Sequence, residues 1–112
     1  MDAKEFIIKK FEQNNPVIIK LIEKWEKHSI NENWDGLNII LNGYNVPNCP
    51  HENEYDMDKQ VNKQFAFLNE ICKKVTQYFL AKGYKKVSTS PCSTLKDFDG
   101  NFIYGYKVVA NF

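Results

Sequence analysis

The chain has 112 residues, 43% of them hydrophobic and 14% aromatic, and a formal charge of +1. That length suits a single domain with one core, and the apolar content excludes a chain disordered by composition. The charged opening "MDAKEF" and the absence of any long apolar run exclude a signal-peptide core and a membrane span, so the sequence reads as cytosolic.

In chain order, "DAKE" announces the first helix, with Asp2 placed to cap it and Glu5 to reach back as a capping box. Ala3, Phe6, Ile7 and Phe11 then share one helical face. "NNP" at 14–16 stops this helix and starts the next, because proline at a first helical position loses no needed hydrogen bond. Ile18, Leu21, Ile22 and Trp25 give the second helix its apolar stripe.

Residues 29–47 admit two readings. Ser29 and Glu32 form a further capping box with Ile30, Trp34, Leu37 and Leu41 on one face, whereas Gly36 and "LNIIL" favour a buried strand over 37–41. The balance falls to the strand, followed by an irregular loop at "NGYNVPNCP". A long helix is expected from about Glu54 to Lys82, started by Asn53 and Asp56 and stopped by Gly83. Its seam of Val61, Phe65, Leu68, Cys72, Val75 and Phe79 is widened by Phe67, Ile71 and Tyr78, a breadth that belongs to a globular core.

The last third reads as antiparallel β. Asp99-Gly100 fits a two-residue hairpin turn that would set Leu95 opposite Tyr104 and Asp97 opposite Phe102. Phe102, Tyr104, Tyr106 and Val108 then share the apolar sheet face. "GYKKVSTSP" reads as a third strand ended by Pro91. The expected fold class is α+β, in one domain over 1–112: two short helices, an irregular middle, one long helix, and a hairpin or three-stranded meander.

Charge is distributed unevenly along this plan. Residues 31–58 carry six acids and no base, whereas residues 59–112 carry nine lysines against three acids. The acidic stretch holds Trp34, Tyr44 and Tyr55, aromatic residues of the kind that anchor interfaces. Trp34, Asp35, Tyr44, Glu52, Glu54, Tyr55, Asp56 and Asp58 are therefore the candidate surface for a basic protein partner, as in an accessory or inhibitory protein. Structural explanations compete with this. Glu52, Glu54, Asp56 and Asp58 crowd the start of the long helix, where its dipole favours negative charge. Trp34 also fits a buried position, and the acids fit the lysine-rich half of the same chain or of a homo-oligomer partner.

Lys82, Lys85, Lys86, Lys96 and Lys107, interleaved with Tyr84, Tyr104 and Tyr106, form the alternative candidate, a nucleic-acid-binding surface on the sheet or a winged-helix-like wing. All fifteen basic residues are lysine, which favours phosphate attraction over base reading. An enzyme with a Cys92 or Cys49 nucleophile is a third reading, with His28 or His51 as base. No motif supports catalysis, so the expectation is a non-enzyme. Cys49 and His51 are one residue apart with no second close pair, so neither a metal nor a cofactor is expected. The three cysteines fit a reducing compartment, and the abundance of Lys, Asn and Ile suits AT-biased coding, as in a microbial or mobile-element protein.

Overall fold

The computed structural model describes residues 2–50, 57–96 and 102–112, with side chains for 2–50, 63–92 and 105–112. Its elements are α1 (Ala3–Asn14), α2 (Pro16–Asn31), β1 (Gly36–Asn42), α3 (Met57–Ala81), β2 (Lys86–Lys96) and β3 (Phe102–Asn111). The α+β class holds, and the strand reading of 37–41 is borne out by β1.

Local chemistry sets the helix ends. The Glu5 amide donates to Asp2 Oδ1 at 2.8 Å, so Asp2 caps α1. Asn15 does not cap α2 with its side chain; its amide nitrogen donates back to the Phe11 carbonyl at 3.1 Å, and Pro16 opens the new helix. The expected Ser29–Glu32 capping box is not formed. Ser29 is buried inside α2 and Glu32 ends that helix, because the apolar stripe of α2 carries it through Asn31.

Both α2 and α3 end in the same way. Asn33 adopts φ 58° and Gly83 φ 99°, the left-handed conformation that reverses a helix end. The Trp34 amide then donates to the Ser29 carbonyl at 2.9 Å, and the Tyr84 amide to the Phe79 carbonyl at 3.1 Å. Each reversal leads directly into a strand. Gly36 of β1 and Lys86 of β2 lie on either side of Asn111, so both helices end at the same end of the sheet.

The sheet order is β1-β3-β2, with both outer strands antiparallel to β3. Its inner face carries Leu37, Ile39, Leu41, Val108 and Ala110, all buried under Ile18 and Ile22 of α2 and Leu68, Cys72, Val75 and Phe79 of α3. The helix α1 packs on α3, where Phe11 stacks on Tyr78 at 4.7 Å. The outer face, with Asn38, Ile40, Lys86, Ser88, Ser90, Lys107 and Val109, has no described helix on it. Gly105 lets β1 approach closely, since a β-carbon there would collide with the Leu41 carbonyl oxygen.

Three expectations about the β region need correction. Ser93 faces Tyr104, and beyond an irregularity between Ser93 and Leu95, Lys96 faces Phe102. Tyr104 and Phe102 are therefore paired with Ser93 and Lys96 in place of the expected Leu95 and Asp97; the Asp99-Gly100 turn itself lies outside the described residues. Pro91 does not end a strand, because β2 is an edge and a missing N–H facing away from β3 costs the ladder nothing. The sheet's third strand is accordingly β1, with β2 and β3 forming the C-terminal hairpin. On α1, Phe6 is 57% exposed.

The left-handed stops are testable. Gly83→Ala is expected to destabilise the protein by about 1–2 kcal/mol, the cost of an L side chain in that conformation. Asn33→Gly is expected to be neutral or stabilising by up to about 1 kcal/mol. Urea midpoints at unchanged m-value measure both.

Candidate functional site

The C-terminal end of α2 assembles an aromatic cluster from distant sequence positions. Trp25 and His28 lie three residues apart on the helix, and their ring centroids are 5.6 Å apart at 87°. The reversal at Asn33 returns the chain so that Trp34 also meets His28, at 5.0 Å and 83°. His28 thus makes edge-type contacts with both indoles. Trp25 is half-buried against the core, while Trp34 remains 49% exposed. A depression of about 410 Å³ opens here, lined by Lys24, Trp25, Lys27, His28 and Asn31.

Neighbouring groups fix this corner. The Phe112 amide donates to the Asp35 carbonyl at 3.0 Å. Glu26, one turn back on α2, accepts from the Tyr84 hydroxyl at 2.7 Å and pairs with Lys82 at 3.3 Å, tying α2 to the end of α3. Burial first, then the bond to Glu26 and its charge, push the Tyr84 hydroxyl well above the ordinary tyrosine value. Ile30 stays 63% exposed on the turn of α2 after Glu26.

The candidate surface from sequence is only partly brought together. Trp34 and Asp35 adjoin, exposed, at the α2–β1 junction. Tyr44, 72% exposed, lies beyond the other end of β1, about 20 Å away at roughly 3.3 Å per strand residue. Its position is set by Asn42, whose side-chain oxygen accepts from the Tyr44 amide at 2.9 Å. Glu52, Glu54, Tyr55 and Asp56 lie outside the described residues. Asp58 is the second residue of α3, a placement that suits the helix dipole; its side chain is not described.

The lysine surface divides as well. Lys82 is held by Glu26 and lies over the Tyr78 ring at 5.2 Å, so it is committed within the fold. Partial burial works against its charge, but Glu26 and Tyr78 outweigh that and raise its pKa. Lys85 and Lys86 are exposed, and Lys107 is half-buried on the outer face of β3. Lys96 ends β2, with its side chain not described. Of the tyrosines among them, Tyr84 and Tyr106 do not supply stacking rings, and the Tyr104 side chain is not described. Tyr84 is buried, and Tyr106 packs on Phe65 at 5.6 Å, on the inner face where the sequence expected it.

Cys49 and Cys72 are buried, and burial raises both thiols, Cys72 to about 12 with a smaller contribution from nearby Cys92. At neutral pH neither offers a thiolate. Among the described residues no group of three or more His, Cys, Asp and Glu is arranged to hold a metal ion, and no helix is long and apolar enough to cross a membrane. His51 and any chemistry it carries lie outside the described residues.

Sequence reasoning saw Trp34 but missed its partners. The available signal was Trp25-x-x-His28 on one helical stripe with Trp34 just past the helix stop. Comparison with known proteins adds nothing to this geometry: no family model, curated protein or solved structure matches the chain.

Thiol exposure gives a direct check. In the native protein at pH 8, iodoacetamide is expected to modify half-buried Cys92 well before Cys49 or Cys72, with peptide mass spectrometry as readout. Rapid labelling of Cys49 would return it to consideration as a nucleophile.

Proposed function

We propose that this chain is a small non-enzymatic binding module, an accessory or inhibitory protein that acts through protein–protein contact centred on Trp34. The observation that carries this reading is the half-exposed Trp34 indole, held against His28, which in turn packs against Trp25. A tryptophan fixed before binding loses little conformational freedom on docking, and such residues dominate interface energies. Exposed Lys24 and Lys27 line the neighbouring depression and exposed Asp35 follows Trp34, a mixed charge that would orient a partner. Burial of the Cys49 thiol, which raises it, counts against that residue as a nucleophile.

The test uses tagged protein in nuclease-treated native lysate, comparing the parent with Trp34→Ala. A stoichiometric protein retained by the parent should be lost or weakened by at least about thirtyfold in the variant, matching roughly 2 kcal/mol for an anchoring residue. Charge reversal at Glu52, Glu54, Asp56 and Asp58 in the same assay measures the share of the acidic segment. Undiminished capture by both variants would remove the reading.

A second reading, nucleic-acid binding, is supported by Lys85, Lys86 and Lys107 around an outer sheet face that no described helix covers. With Tyr84 and Tyr106 turned inward, such a surface would follow phosphates and discriminate poorly among bases. It predicts that a fluorescent single-stranded oligonucleotide binds with steep salt dependence. Lys86→Gln with Lys107→Gln should flatten the salt slope by about two. Absent or salt-insensitive binding would exclude it.

A further inference from the structure

The apolar face of α1 is only half used. Of Phe6, Ile7 and Phe11, the structure buries Phe11 alone; Ile7 is half-buried and Phe6 is 57% exposed. These side chains open into a cavity of about 410 Å³ between α1 and α3, a size that accommodates a small organic molecule. Its polar lining is one-sided. Lys10 and Lys74 contribute ammonium groups, Asn14 and Gln77 contribute amides, and no carboxylate lines it. Neither lysine is neutralised by an acid among the described residues. Lys10 lies over the Phe6 ring at 5.8 Å, and Glu70, the acid one turn from Lys74, pairs with Lys73 at 3.0 Å.

An apolar floor rimmed by two cations and no anion has a definite chemical complement. We infer that the α1–α3 cavity is a binding site for a small amphiphilic anion, an apolar or aromatic body bearing a carboxylate or similar head group. The body lies on Phe6 and Ile7, covering surface that the fold leaves in water. The head group meets Lys10 and Lys74, with the Asn14 and Gln77 amides as further donors. A neutral apolar molecule would leave the cations unused, and a small anion such as acetate would leave the aromatic surface exposed. The site is separate from the Trp34 face and does not depend on the function proposed for it.

The experiment titrates 2-naphthoate into the full chain and follows backbone amide signals by heteronuclear NMR, with 2-naphthamide and acetate as controls. Saturable shifts are expected at Phe6–Lys10 and Lys74–Gln77, at concentrations at least tenfold below those needed for either control. Lys10→Gln with Lys74→Gln should weaken 2-naphthoate at least tenfold, and Lys10→Arg with Lys74→Arg should retain it. Both lysines are exposed, so the variants should keep the parent melting temperature. No saturable shift at these residues, equal binding of the neutral amide, or full binding by the glutamine variant would overturn the proposal.

Discussion

Every hydrogen-bonded strand contact in the described sheet passes through β3. The strands β1 and β2 run in the same direction, separated by the whole of α3, and neither touches the other. The central strand arrives last along the sequence, and its Val108 and Ala110 complete the inner face on which Leu37, Ile39 and Leu41 align. Burial of the helices depends on that alignment: α2 covers β1 while α3 covers β3 and β2, so the core exists only where β3 holds the two outer strands side by side. The pairing of β1 is long-range in sequence, which makes closure of the sheet the entropically demanding step of folding.

Much of this was legible locally. The stop at Asn15-Pro16, the seam of α3 and the inward side of β3 follow from spacing and turn chemistry. The hairpin register did not, because Asp99-Gly100 resembles a sufficient turn when the irregularity between Ser93 and Leu95 is unseen. The strand faces survived that error because the observed register over the regular part of β2 differs by two residues, and two is the period of a strand. Phe6 lies on the apolar face of α1 and yet stays in solvent. Helical periodicity says which residues share a face, but the extent of the neighbouring helix decides how much of that face is covered.

The candidate site was legible in type and not in arrangement. Trp34 and Tyr44 look adjacent on paper, yet the strand between them is stiff and extended and carries them to opposite ends. Trp25, His28 and Trp34 look scattered, yet a left-handed residue at Asn33 folds them together. The two helix stops are built alike and used differently. After Gly83, Tyr84 turns inward to bond Glu26; after Asn33, the equivalent Trp34 is left half in solvent. One stop therefore secures the fold, and the other presents an aromatic side chain.

Pro91 has a consequence for self-association. The outer edge of β2 is long, and a continuous row of free N–H and C=O groups there would be a template on which a second chain could zip. Proline at mid-strand leaves a gap in the donors, so an incoming strand cannot keep an unbroken ladder past that point. The same residue that made β2 hard to recognise as one strand thus works as a gatekeeper against open-ended β-stacking and the fibrils it leads to.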